Sequence, residues 1–190
     1  MSILRYPTPV DWAQAVLSDF DTFLLDHAAA EKKASSMAMT MISHYPDKPQ
    51  LIMAMTDLAV EELSHFKEVV RIIYNRGLTL GSDTKDPYIN ELRKNFRKGT
   101  DTYLLDRLLI AGIVEARGHE RFGLVAQALE TGPLKKFYLA ITQSEARHYQ
   151  LFIDLANLYI PSGQVSARLD ELLNIEASIV KALPIRALLH

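Results

Sequence analysis

The chain has 190 residues, no cysteine and a formal net charge of -2 at pH 7. This length supports one domain with a sizeable core, which we expect to span residues 1–190, and the missing cysteines exclude a disulfide framework, a zinc ribbon, an iron–sulfur cluster and a thiol nucleophile. The small net charge provides no overall attraction to nucleic acid, so any RNA contact would depend on local basic patches.

The amino-terminal residues lack the apolar segment that is typical of a signal peptide. No stretch reaches the roughly 20 uncharged apolar residues that a membrane-spanning helix needs. We therefore expect a cytoplasmic protein with no membrane partner.

Long periodic stretches, separated by Gly and Pro, predict an all-α chain. Their apolar positions recur at alternating steps of three and four residues, which is the spacing of a helix face and not of a strand. The predicted helices cover about 11–44, 49–76, 101–130, 133–160 and 164–183. The polar segment 78–100 is expected to be a crossover connection.

Glutamates interrupt the apolar face near the middle of four of these helices. Antiparallel helices bring mid-helix positions to similar depth, so the four carboxylates are expected to converge. The chain also repeats itself. A helix with one such Glu is followed by a helix with Glu-x-x-His, and this pair of helices occurs twice. The glutamates are Glu31, Glu62, Glu115 and Glu145, and the histidines are His65 and His148.

Four buried carboxylates need positive compensation, because removing an ionised carboxylate from water costs several kcal/mol. The same helix faces contain no Lys or Arg, whereas two divalent cations would neutralise the four charges. Oxygen ligands with one imidazole per ion fit iron or manganese better than zinc or calcium, and iron is our first choice. Residues three apart share a helix face, so each histidine can bind the same ion as its preceding glutamate.

This ligand set is the one found in ferritin-like di-iron and di-manganese bundles. We therefore predict an all-α, ferritin-like four-helix bundle with a long crossover connection and an extra C-terminal helix. Glu31 and Glu115 would be terminal ligands, and Glu62 and Glu145 would bridge the ions.

Two further histidines lie near the predicted ligands. His27 precedes Glu31 by one helical turn, and it either packs beside the ligands or binds the metal itself. His119 follows Glu115 by four residues but falls off the apolar face, so we do not expect it to be a ligand.

Five segments of the chain form motifs that include positions other than the predicted ligands. They read TPVDW at 8–12, LDHAAAEKKA at 25–34, EELSHF at 61–66, EARGHERF at 115–122 and SEARHY at 144–149. In this order, over about residues 4–160, they resemble the MiaE family of tRNA hydroxylases. All six ligand positions are filled, while the chain after about residue 160 contributes little to the resemblance.

The resemblance implies an oxygen-dependent hydroxylation of the isopentenyl group of 2-methylthio-N6-isopentenyladenosine, next to the anticodon in tRNA. It implies that the six ligands are also the catalytic residues. The implied cofactor is two iron ions that cycle between Fe2+ and Fe3+ with a bridging oxo or hydroxo group. Dioxygen would be the co-substrate, and an electron-transfer reductase would be the external electron donor.

The implied partner is the tRNA anticodon loop, whose unpaired bases can be splayed into a pocket. Phosphate contacts would need Lys and Arg, and the densest basic stretch lies in the crossover, where its charges would pair at i, i+4 if it is helical. A solvated charge run is the alternative for this stretch. Three arginines flank the ligands and would serve substrate phosphates or support the ligands. The candidates are Arg93, Lys94, Arg97, Lys98, Arg117, Arg121 and Arg147.

Three other functions share parts of this pattern. A ferritin-class ferroxidase or iron-storage protein uses the same ligand plan in a large cage, whereas a hydroxylase is expected to be a monomer or dimer. A manganese catalase or a peroxide-scavenging di-iron protein also fits the ligands. A non-enzymatic RNA-binding bundle would use the basic stretch without the metal chemistry.

Overall fold

Seven α-helices make up most of the computed structural model, which describes residues 2–190. These residues contain no β-strand, so the prediction of an all-α chain is confirmed. The helices are α1 (Val10–Ser18), α2 (Phe20–His44), α3 (Pro49–Asn75), α4 (Pro87–Arg93), α5 (Thr100–Ala128), α6 (Pro133–Tyr159) and α7 (Ser162–Ala182).

Local chemistry explains where several helices begin. The side chain of Asp19 accepts a hydrogen bond from the backbone N–H of Thr22 at 3.3 Å and caps α2. Pro49 and Pro133 begin α3 and α6, where a missing N–H has no helical partner to lose. Gly99 precedes α5 with a φ of +112°, a conformation that favours glycine.

Two predicted elements differ from the observed ones. The single helix expected at 11–44 is broken at Asp19, because its side chain caps a new helix there. The crossover contains the seven-residue helix α4, which is capped by Asp86 and is too short to show helical periodicity. Because α4 ends at Arg93, residues 94–98 are not helical, and the charges of the basic stretch do not pair at i, i+4.

The chain divides into two compact units. The α2–α3 unit contains Val16–Thr84 and Ala187–Leu189, and the α4–α7 unit contains residues 2–15, Lys85–Arg186 and His190. The expectation of a single domain over residues 1–190 stays a prediction.

In the α2–α3 unit, two long helices pack along each other. Each of these helices has a buried apolar face, because Leu24 and Met41 of α2 and Met55 and Val69 of α3 are fully buried. Burial of apolar surface is worth about 25 cal/mol per Å2, so these side chains determine which face of each helix is turned away from water. The same faces contain the predicted ligands.

In the α4–α7 unit, α5 is the central helix and packs against α4, α6 and α7. Every residue from 104 to 113 is buried, as expected for a helix that is covered on all sides. Even so, none of the described helices is long and apolar enough to cross a membrane.

Candidate metal centre

The α2–α3 unit brings two buried carboxylates and one imidazole together. Glu31 lies on α2, and Glu62 and His65 lie one turn apart on α3, with one ligand atom from each within 4.8 Å of the others. Nδ1 of His65 is 3.7 Å from Oε2 of Glu31 and 3.7 Å from Oε2 of Glu62. Atoms that bind one ion at about 2.1 Å lie roughly 3 to 4 Å apart, so this spacing fits a shared cation.

The charges of this trio also favour a cation. Burial, together with the adjacent Glu62 carboxylate, raises the pKa of Glu31 well above its ordinary value. Burial alone would lower the pKa of His65, but the carboxylates of Glu31 and Glu62 raise it to about 9. Without metal the trio retains protons, and a bound cation would displace them to leave ionised carboxylates and a neutral imidazole. The donor set therefore fits iron.

His27 supports this trio from one turn earlier on α2. Its Nε2 is 2.6 Å from Oε1 of Glu31, and its side chain is fully buried. Burial lowers the pKa of His27 to about 3, so the ring is neutral near pH 7. Once a bound cation has left Glu31 ionised, its carboxylate can only accept hydrogen bonds, so Nε2 of His27 would donate to Oε1 while Oε2 of Glu31 faces His65. This geometry favours the supporting role over that of a ligand.

Removing the His27 donor is expected to weaken iron binding. In His27→Leu the Glu31 carboxylate loses its fixed orientation, and we expect a fall of about 10- to 100-fold in Fe2+ affinity. His27→Gln can still donate to Glu31 and should retain most of the affinity. Anaerobic titration calorimetry with Fe2+ measures both, with the exposed His44→Leu on the same helix as the control. Unchanged affinity in His27→Leu would show that the hydrogen bond has no part in binding.

The α4–α7 unit contains a second trio of the same composition. Glu115 of α5 and Glu145 and His148 of α6 are all buried, with one ligand atom from each within 4.8 Å of the others. Nδ1 of His148 is 3.7 Å from Oε2 of Glu115, the distance found for His65 in the first trio. Ser144 Oγ lies 3.4 Å from Nε2 of His148 and contacts the opposite side of the ring. The convergence of all four carboxylates stays a prediction.

His119 takes no part in this trio. It is exposed, and its Nδ1 donates to the carbonyl oxygen of Thr142 at 2.7 Å. This position agrees with its place off the apolar face of α5.

A buried ionic cluster surrounds the arginine that follows Glu115. The Arg117 guanidinium is fully buried and donates to both oxygens of Glu176, at 2.9 and 3.1 Å. It also donates to Glu120 and to Thr8 Oγ1, and the Tyr88 hydroxyl donates to Glu176 at 3.0 Å. This pairing favours a supporting role for Arg117 over contact with substrate phosphates.

Arg121 is buried in the same region, with its guanidinium 5.1 Å from the centre of the Trp12 ring. Burial, followed by the nearby Arg117 charge, lowers the pKa of Arg121 to about 10. It too is better placed for support than for phosphate contact. One sign of this cluster is visible in the sequence, because Glu176 falls on the apolar face of the last helix, but the pattern of that helix does not identify its partner.

The predicted basic stretch of the crossover lies on the surface. Arg93, Lys94, Arg97 and Lys98 are all exposed. Two of them have acidic neighbours, because Lys94 Nζ is 2.5 Å from Glu91 and Arg97 pairs with the buried Asp106 at 2.8 Å. Arg147, which flanks the second trio, is exposed as well.

Comparison with known proteins identifies relatives along the whole chain. Residues 1–190 match the family described as tRNA-(MS[2]IO[6]A)-hydroxylase (MiaE). The chain is 38% identical to a tRNA 2-(methylsulfanyl)-N(6)-isopentenyladenosine(37) hydroxylase of Pseudomonas putida strain KT2440, over 83% of this chain and 77% of the relative. It is 34% identical to the hydroxylase of the same name from Salmonella typhimurium strain LT2, over 82% of this chain but only 56% of the relative.

A solved structure shares the fold. It is a Synechococcus protein described as having aldehyde deformylating oxygenase activity, and it is 33% identical to this chain with a TM-score of 0.94. The likeness covers 100% of this chain and 96% of the other. The predicted fold class, all-α and ferritin-like, is confirmed.

Proposed function

Because this chain belongs to the MiaE family of tRNA hydroxylases, we propose that it hydroxylates the isopentenyl group of 2-methylthio-N6-isopentenyladenosine in tRNA. The observation that carries the proposal is the pair of Glu-Glu-His trios, in which every residue is buried except the half-buried His65. Iron storage in a ferritin-like cage, the alternative that the ligand plan leaves open, is not favoured by the family match.

We propose that six residues hold two iron ions, as the repeated spacing predicts. When bound, the two ferrous ions would supply the electrons that activate dioxygen, and an external electron donor would restore them. Overall, one oxygen atom enters a C–H bond of the isopentenyl group and the other leaves as water, with two electrons and two protons consumed. The ligands are Glu31, Glu62, His65, Glu115, Glu145 and His148.

The remaining parts of each unit keep these ligands in place and dry. His27 fixes the orientation of Glu31 by its hydrogen bond, and Ser144 contacts the ring of His148. Leu24 precedes Glu31 by two turns and Phe152 follows His148 by one, and both are fully buried. Apolar side chains at these positions exclude water from the helix faces where the ligands lie.

For the tRNA, we propose that exposed cations contact the phosphates of the anticodon loop. Arg93, Lys94, Lys98 and Arg147 are exposed, and Arg97 is partly engaged by Asp106. Each such contact would release counterions, so binding should weaken as salt is raised. We also propose that the protein works as a monomer or dimer with a separate reductase.

The proposed activity is tested by mass spectrometry of nucleosides from tRNA that carries the isopentenyl modification. The iron-loaded protein, a reductant and dioxygen are expected to add one oxygen atom to this nucleoside, and a parallel reaction under nitrogen should add none. No oxygen gain with two irons bound would contradict the proposal.

A Lys94→Ala/Lys98→Ala variant should require more tRNA for half-maximal rate while its maximal rate changes little.

The same preparation separates the other functions. Conversion of an aldehyde in place of the tRNA nucleoside would assign the chain the activity described for its Synechococcus neighbour. Gel filtration distinguishes a monomer or dimer from a storage cage, and oxygen evolution from peroxide would indicate a catalase.

A further inference from the structure

Helix α5 contains a glycine that faces a predicted ligand of α6. A Cβ atom built at Gly118 would lie 2.9 Å from Oε2 of Glu145, and 3.5 Å from its Cδ. Real Cβ contacts essentially never fall below 3.0 Å, so any side chain at this position would force the carboxylate to move. Gly118 is buried, and its backbone is helical without a positive φ.

The helix therefore has no conformational need for glycine at this position. Alanine is the better helix former, and glycine in a helix interior normally destabilises the helix. What glycine provides here is the space that the Glu145 carboxylate occupies. The conflict would be with the far end of a flexible side chain, which can turn away without disturbing the two helices.

We propose that Gly118 is a positioning residue of the metal centre, because it reserves the volume from which the Glu145 carboxylate reaches the metal. This inference rests on the proposed role of Glu145 as a ligand. A substitution at Gly118 should therefore leave the packing of α5 against α6 intact and displace only the Glu145 carboxylate.

A second glycine of the same helix provides a matched control. A Cβ at Gly123 would lie 3.6 Å from Cγ2 of Thr142, which is an ordinary van der Waals contact. Gly123→Ala should therefore raise the melting temperature of the metal-free protein slightly and leave metal binding unchanged. Gly112 is less suitable as a control, because a Cβ there would lie 3.3 Å from Cβ of Phe152.

The test is anaerobic titration calorimetry of the full chain with Fe2+ alone. The melting temperature of the metal-free protein is measured alongside. Gly118→Ala is expected to lower the affinity for at least one ion by about 10- to 100-fold and to leave the melting temperature near or above that of the unchanged protein. Binding of both ions by Gly118→Ala with unchanged affinity would overturn the inference while leaving the proposed function in place. Failure of the unchanged protein to bind iron would overturn both.

A double variant keeps the inference testable if Gly118→Ala is less stable than expected. If the added methyl group conflicts with the Glu145 side chain, its cost to the metal-free protein should disappear in the Glu145→Ala background. An equal loss of melting temperature in both backgrounds would show that the glycine serves helix packing instead, and would overturn the inference.

Discussion

His148→Ala is expected to leave the protein with about one bound iron in place of two and to lower its hydroxylation rate by more than about 100-fold. The variant removes the only imidazole of the trio formed with Glu115 and Glu145, and two carboxylates alone would hold a second ion weakly. Metal analysis after desalting gives the iron content, and the nucleoside assay gives the rate.

His119→Ala is the matched control for this variant, because it removes an imidazole from the helix that contains Glu115. The His119 ring is exposed and donates to a backbone carbonyl, so iron content and rate should change little. Equal losses in the two variants would indicate a general disturbance of the unit, and full iron content in His148→Ala would remove this residue from the ligand set.

Glu176→Ala is expected to lower the free energy of unfolding by about 3 to 5 kcal/mol. The substitution leaves the fully buried Arg117 guanidinium without the carboxylate that accepts two of its hydrogen bonds. The Tyr88 hydroxyl loses its acceptor as well. Urea unfolding of the metal-free protein, followed by circular dichroism, measures the change.

Two further variants define what this measurement means. Glu176→Gln keeps an acceptor of similar size and should lose less stability than Glu176→Ala. Glu68→Ala breaks an ion pair with Arg71 in which both side chains are about half exposed, and it should cost less than about 1 kcal/mol. A similar small cost for Glu176→Ala would mean that water reaches Arg117 and replaces the lost carboxylate.

The long helices could be predicted from the sequence because each buries one continuous face. The same reasoning predicts that the glutamates are metal ligands, since Glu31 and Glu145 are charged residues on faces that must be buried. The break at Asp19 was missed because a single capping side chain outweighs the apolar periodicity that continues on either side of it. Helix α4 was missed because seven residues are too few to establish a period.

Contacts between distant segments could not be predicted from the sequence for a different reason. The pairing of Arg117 with Glu176 joins residues from α5 and α7, and nothing in the local pattern of either helix specifies the other. The distances around Gly118 depend on how closely α5 and α6 approach each other, which spacing alone does not give. His27 was an intermediate case, because its place one turn before Glu31 allowed contact without deciding between a ligand and a hydrogen-bond donor.

Each ligand trio is formed by two helices that follow one another directly in the chain. The connections between these helices, at 45–48 and 129–132, are only four residues long. Contacts between neighbouring segments need little loop closure, and helical proteins dominated by such contacts fold in roughly microseconds to milliseconds. Each trio can therefore form early in folding from its own pair of helices, before more distant segments of the chain are in place.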